Sequence, residues 1–245
     1  MNFHLDETWK DYDKGNNAAL RLETIRDLIP KDVNSILDVG CGNGIITNEL
    51  SSDFQITGLD SSEAALSYLK CSSILGSIES IPCADHSFDL VMCNEVLEHL
   101  DTSTLHKGIR ELKRLSRKYI LISVPNQEQL QRHLYKCARC GLVNHAYGHV
   151  QSISIPRLNN LLLPEYHHLQ ARLYGTPSQD SFPLLLTLRQ QLLGQWFAPH
   201  EGAKCDACGS TSFMVNRNIL NKAVNGVNHL LITAKPFWFS VLYSQ

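Results

Sequence analysis

A short apolar run, Ser35 to Val39, breaks directly into Gly40-Cys41-Gly42-Asn43-Gly44, and a helical pattern opens at Ile45. That order reads as a buried strand turning tightly into a helix. Its glycines let the backbone approach a ligand closely while the first amides of the helix point at it. Alone the loop is a weak signature. A dinucleotide-binding loop of the G-x-G-x-x-G kind wants glycine at position 45, where the chain has Ile45, so an NAD-type pyrophosphate site is disfavoured. Two carboxylates frame the loop. Asp38 lies just before the first glycine, and Asp60 closes the next apolar run about twenty residues on. Asp60 is placed there to accept from two ribose hydroxyls, or else only to cap the helix that follows.

The rest of the first half keeps the same rhythm. Asn16 to Ile29 is a helix pattern with Leu22, Ile25 and Leu28 on one side, stopped by Pro30. A helix is expected from about Ile45 to Ser51, a strand over Phe54 to Leu59, and a helix capped by Ser61 or Ser62 running to about Lys70. Phe88 to Cys93 is a further buried strand. Leu105, Ile109, Leu112 and Leu115 recur at helical spacing behind the cap candidates Thr102 and Ser103, and Lys118 to Val124 is a strand halted by Pro125. Alternating strands and helices with right-handed crossovers predict an α/β fold, a doubly wound and mostly parallel sheet.

After Asn126 the rhythm breaks. Leucine-rich stretches, several histidines and two Cys-x-x-Cys pairs follow, and Pro236 to Tyr243 is expected to return to the sheet as an edge strand. The predicted organisation is an N-terminal helical cap at 1–30, a core carrying the glycine loop at 31–126, an insertion carrying the cysteine pairs at 127–210 and a C-terminal return to the sheet at 211–245. Charge divides at the same point: Met1 to Asn126 holds 12 basic and 19 acidic residues, Gln127 to Gln245 holds 10 and 5. With 245 residues, 43% of them apolar, the chain can bury a sizeable core. No apolar run nears the roughly 18 to 20 residues of a membrane span. The charged N-terminus lacks the texture of a secretory signal, so a cytoplasmic protein is expected, its eight cysteines being thiols or metal ligands rather than disulfides.

Five stretches together carry a resemblance: Ile36-Leu37-Asp38-Val39-Gly40-Cys41-Gly42-Asn43-Gly44, Gly58-Leu59-Asp60-Ser61-Ser62, Ile81 to Val91, Asn94-Glu95-Val96-Leu97-Glu98-His99, and Ser123-Val124-Pro125-Asn126. Their order and spacing over about residues 34 to 126 resemble class I S-adenosylmethionine-dependent methyltransferases. The resemblance implies a seven-stranded Rossmann-like sheet whose last strand comes from the C-terminus. It also implies S-adenosylmethionine as cofactor, with Gly40 and Gly42 approaching its methionine part, Asp60 holding the ribose and Asn94 beside the sulfonium, and with Asp38, Cys41, Gly44, Ser61 and Glu95 also among the cofactor-binding residues. Relatives usually hold the adenine amino group with an acid at the third strand's end. Here that position is Ser77, whose hydroxyl can still hydrogen-bond, and the Ile78 amide can still donate to the ring.

Methyl transfer from a sulfonium needs alignment more than acid–base chemistry, and a base is required only for acceptors such as alcohols, phenols or ammonium groups. His99, in the Glu95-to-Leu100 stretch, is either structural or a base. Tyr147 and His149, in Asn144-His145-Ala146-Tyr147-Gly148-His149, fall after the fifth strand on the acceptor side, and His149 is the candidate base, with metal ligation and packing as alternatives. Cys137, Cys140, Cys205 and Cys208 can set four thiolates about one structural zinc ion, unless they form a disulfide or act as unrelated thiols. Cys41, Cys71, Cys83 and Cys93 read as small core residues. The expected acceptor is a small molecule: a sugar, lipid precursor or secondary metabolite. An RNA or protein acceptor docked on the basic half is disfavoured by the near-neutral total charge, and an inactive cofactor-binding scaffold by the intact loop, Asp60 and Asn94. Oligomeric state is not written in the chain.

Overall fold

The computed structural model describes residues 16–175, 178–199, 203–216 and 218–245, which form two compact units. The larger comprises the described residues up to Asn126 together with Ile153–Thr176 and Pro236–Gln245; the smaller comprises Gln127–Ser152 and Pro177–Lys235.

The larger unit is built on seven strands: β1 (Ser35–Val39), β2 (Gln55–Asp60), β3 (Ser72–Leu75), β4 (Phe88–Asn94), β5 (Ser116–Pro125), β6 (His167–Tyr174) and β7 (Trp238–Ser244), in the order β3-β2-β1-β4-β5-β7-β6. The first five are parallel, and β7 runs antiparallel to both β5 and β6. β1, β4 and β5 are near-continuous apolar runs because both of their faces are covered. On one face Ile25 and Leu28 of α1 (Asn16–Leu28) and Leu50 of α2 (Ile45–Leu50) pack on Ile36, Leu90 and Leu121. On the other, Leu105, Ile109, Leu112 and Leu115 of α4 (Thr102–Leu115) and Leu158 and Leu162 of α5 (Ile155–Leu162) cover Leu37, Val91, Ile120 and Val241.

Five expectations are corrected. The C-terminal strand is not at the edge: Val241 pairs with Ile122 on one side and Ala171 on the other, so β7 is internal and reads as a buried run. The edge is β6, which had been assigned to the insertion; its side chains are mostly exposed, as an edge strand with one partner allows. Residues 153–176 therefore belong with the sheet, and the smaller unit extends to Lys235 rather than ending at 210. The cap of α4 is Asp101, whose carboxylate accepts from the Ser103 and Thr104 amides at 2.8 and 3.0 Å. The helix after β2, α3, covers only Glu63–Leu66; Ser62 is its cap. Of the expected N-terminal cap, residues 1–15 lie outside the described residues.

The smaller unit holds two antiparallel pairs, Leu134–Lys136 with Val143–His145 and Ser178–Asp180 with Thr233–Lys235, and a helix at Ile219–Leu231. Trp196 and Tyr135 are its large buried side chains.

Candidate cofactor site

A cleft of about 320 Å³ opens at the carboxyl ends of β1, β2 and β4, where ligands of open α/β sheets bind. Gly40, Gly42 and Gly44 all have positive φ, at 76°, 55° and 76°, a region costly for other residues. The Gly40 and Cys41 amides donate to the Leu59 carbonyl at 2.7 and 3.0 Å, tying the loop to β2. A Cβ on Gly40 would lie 2.2 Å from Val96 Cγ2. The loop can therefore lie against the turn after β4 only with glycine there.

Asp60 is not a helix cap alone. Its two oxygens accept separately, Oδ2 from the Gly42 amide and Oδ1 from the Ser62 amide, both at 2.9 Å, so it clamps the glycine loop to the start of α3. Each oxygen retains a lone pair for a ribose hydroxyl. Asp38 is 2% exposed and accepts from the Thr47 hydroxyl at 2.6 Å, while its Oδ1 and the Asn94 amide beside it are buried without a well-formed hydrogen bond. Buried polar atoms left in this way mark a place where a polar ligand completes the network. Burial pushes the Asp38 carboxyl up to about 7, the Thr47 hydroxyl and the Asn94 amide oppose that, and the Asp60 charge adds to it.

The sign of the pH effect follows. As pH rises above 3.8 the unfolded chain releases the Asp38 proton while the ligand-free fold keeps it to about 7, so stability falls across that window. Asp38→Asn is expected to raise the melting temperature of ligand-free protein at pH 8 and to leave it nearly unchanged at pH 4. An equal shift at both values would show that Asp38 is not held neutral.

Of the expected cofactor residues, Asp38, Gly40, Cys41, Gly42, Asp60, Ser61, Ser77, Ile78, Asn94 and Glu95 all line the cleft, as does His99. Gly44 does not; it is the left-handed residue from which α2 starts. The Ser77 hydroxyl already accepts from the Glu79 amide at 3.2 Å, which leaves its proton to donate. Burial drives the Cys41 thiol far above its ordinary range, so it is inert packing against the loop. Arg21 and Thr104 also line the cleft and were missed. Arg21 reaches it from α1 with its guanidinium 5.3 Å from the Trp238 ring centroid, a long-range placement that helical spacing cannot reveal.

His149 and Tyr147 lie in the smaller unit, ringed with His133 and His145 around Glu128. The four cysteines expected to act together do meet there. Cys137 and Cys208 are 3.7 Å apart and Cys140 and Cys205 are 3.5 Å apart, sulfur to sulfur, and none is in a disulfide. Sulfurs about 2.3 Å from one tetrahedral zinc would be separated by roughly 3.8 Å, so the donor set fits zinc. Both knuckles close alike: the Gly141 amide donates to the Cys137 carbonyl and the Gly209 amide to the Cys205 carbonyl, each glycine having positive φ.

Residues 37–119 match the family model described as a methyltransferase domain. The chain is 32% identical over 143 residues to an uncharacterised protein of Methanocaldococcus jannaschii, covering 53% of this chain and 63% of that one. It is 31% identical over 128 residues to a ubiquinone biosynthesis O-methyltransferase of Hydrogenovibrio crunogenus, covering 44% and 53%. The chain thus spans less than two thirds of the length of either relative. Among solved structures, an S-adenosylmethionine-dependent methyltransferase of Mesorhizobium loti superposes with a TM-score of 0.56 at 14% identity over 94% of this chain and 100% of that one. One of Archaeoglobus fulgidus gives 0.54 at 17% identity, over 93% and 94%. The fold is shared with these S-adenosylmethionine-dependent methyltransferases, and residues 37–119 are similar to the methyltransferase-domain family.

Proposed function

We propose that the protein transfers the methyl group of S-adenosylmethionine to an oxygen or nitrogen of a small-molecule acceptor, such as a sugar, a lipid precursor or a secondary metabolite. The cleft supports the cofactor half of this reading. S-adenosylmethionine bound there supplies an activated methyl, and the chain's residues orient it: Asp60 at the ribose, Ser77 and the Ile78 amide at the adenine, Asp38 and Asn94 towards the cationic end. With the electrophile already activated, holding an acceptor atom in line accounts for most of the acceleration.

The observation that carries the acceptor half is where the chain leaves the sheet. It departs after Asn126 and beyond Tyr174 and returns at Ile153 and Pro236. These points are joined by pairing: Trp238 opposes Pro125 and Tyr174, and Asn126 bridges Ile153 and bonds Phe237 and Pro236. All four passages lie at the carboxyl edge that also bears the cleft. Acceptor recognition is accordingly assigned to the smaller unit, with His149 as the base when the acceptor is a hydroxyl and Tyr147 beside it. The relatives named as O-methyltransferases favour oxygen. The four cysteines are assigned to a structural zinc ion, with no open position for catalysis. No helix among the described residues is long and apolar enough to cross a membrane.

Tritium transfer from methyl-labelled cofactor into separated metabolite, RNA and protein fractions tests this reading. Label is expected in the metabolite fraction, and His149→Ala should lower its incorporation by about 10²-fold or more with cofactor affinity unchanged. Label confined to RNA or protein would overturn the acceptor class.

A further inference from the structure

Asp38 and Asp60 line the same cleft in different surroundings. Asp60 accepts from two backbone amides. Asp38, the penultimate residue of β1, accepts at Oδ2 from the hydroxyl of Thr47, a fully buried residue of α2, and has the Asn94 amide of β4 beside it without a well-formed hydrogen bond. The titratable groups that face the Asp38 carboxyl come from four places: Asp60 of β2, the Cys41 thiol of the glycine loop, Cys71 just before β3 and Cys93 of β4. Burial raises all three thiols above their ordinary range, and the Asp38 charge pushes them the same way. They stay neutral, so the charge facing Asp38 is a second carboxylate. Arg21, Glu95 and His99 line the cleft too, but among the described residues no cation acts on Asp38.

A carboxylate shut away from water beside another carboxylate, with no cation to answer it, is an unfavourable charge. The Thr47 hydroxyl and the Asn94 amide favour the ionised form but do not outweigh burial, and ligand-free protein keeps the Asp38 proton to about 7. S-adenosylmethionine carries a sulfonium and an ammonium group against a single carboxylate. A positive charge brought into the cleft supplies what the site lacks, and an opposite charge favours the ionised carboxyl.

We propose that Asp38 gives up its proton when the cofactor binds: neutral in the ligand-free protein, it becomes the counter-charge of the cofactor's cationic end. This rests on the reading of the cleft as the S-adenosylmethionine site, and it adds a proton that leaves to the residues that bind. One O–H bond of Asp38 breaks, the proton passes to the buffer, and no other bond changes. The sign of the pH effect follows. Below about 7 binding must expel the proton, so affinity should rise about tenfold per pH unit towards that value and level off above it.

The test is calorimetric titration of S-adenosylmethionine into the whole protein at pH 6, in phosphate and in Bis-Tris, two buffers whose ionisation enthalpies differ. The difference in apparent heat counts the protons released, and no acceptor is added, so methyl transfer does not enter the readout. Close to one proton per ligand is expected for the wild type, and close to none for Asp38→Asn, which cannot ionise. Thr47→Val removes the hydroxyl that favours the ionised form and lies outside the cleft lining; it should still release the proton, with the midpoint of release moved to higher pH. Amide spectra of each variant establish that it is folded. Equal heats in the two buffers for wild-type protein, or undiminished release in folded Asp38→Asn, would overturn the proposal and leave the cofactor site standing. No binding to the folded wild type would overturn both. If Asp38→Asn binds too weakly to titrate, Thr47→Val decides: a raised midpoint sustains the proposal and an unmoved one overturns it.

Discussion

Cys205→Ser is expected to lose the metal and unfold the smaller unit while leaving the sheet folded. Protein purified without added metal should contain about one zinc per chain, because a four-thiolate site contributes on the order of 10 kcal/mol or more of binding free energy that is also folding free energy. The unit has little else of comparable size. Cys137 and Cys205 are buried, but its helix at Ile219–Leu231 turns Asn221 inward while Ile219 and Leu230 are each 82% exposed. The knuckles also tie distant segments together: Tyr135 and Asn144 of the hairpin both donate to Asp206, between the second pair of cysteines. Releasing one knuckle therefore frees the hairpin that carries His133 and His145. Hydrogen exchange read segment by segment should show lost protection at 134–145 and 205–213, with protection kept in β1, β4 and β5. A chelated, metal-free protein with full protection throughout would reject the metal.

How far the sequence reveals this molecule depends on how local each feature is. The glycine loop, Asp60 at the end of β2 and the order of β1 to β5 were readable because strand, turn and helix follow one another within a few residues, and each buried strand is a continuous apolar run. β6 was not readable. His167-His168-Leu169-Gln170-Ala171-Arg172-Leu173-Tyr174 has no clean alternation, and only pairing with β7, some seventy residues later in register, makes it a strand. The misplacement of β7 at the edge is the same error seen from its other side. At α4, Asp101, Thr102, Ser103 and Thr104 are four successive residues able to cap; which one does so depends on backbone geometry, since only Asp101 is extended with its carboxylate over two amides. Glu128 was invisible for a different reason. Its partners lie 5, 17 and 21 residues away, and an isolated acid in a polar segment reads as solvent-exposed.

The cysteines lie between these cases. Two Cys-x-x-Cys pairs far apart in sequence suggested one site, but spacing left zinc, a disulfide or unrelated thiols open. Sulfur separations of 3.5 and 3.7 Å are too long for a disulfide and match the edges of a tetrahedron about zinc.

Asp60→Ala should weaken cofactor binding more than any other single change in the cleft. The carboxylate would contribute twice: directly, through charge-assisted hydrogen bonds to the ribose, and indirectly, through the Gly42 and Ser62 amides it now holds at 2.9 Å. The direct part alone is about 1.5 to 3 kcal/mol, or roughly 10- to 150-fold in affinity. Losing the clamp on the glycine loop adds to it. Asp60→Asn separates the two contributions, since its amide oxygen can keep one backbone bond while the charge is gone; its affinity should fall between those of the wild type and the alanine variant.

The most direct measurement is calorimetric titration of S-adenosylhomocysteine into wild-type and Asp60→Ala protein, with amide spectra confirming that both are folded. Saturable binding at one site per chain in the wild type, displaced by S-adenosylmethionine and weakened at least tenfold by Asp60→Ala, is the expected result. Absence of binding to the folded wild type, or equal affinity in the two proteins, would contradict the assignment of the cleft.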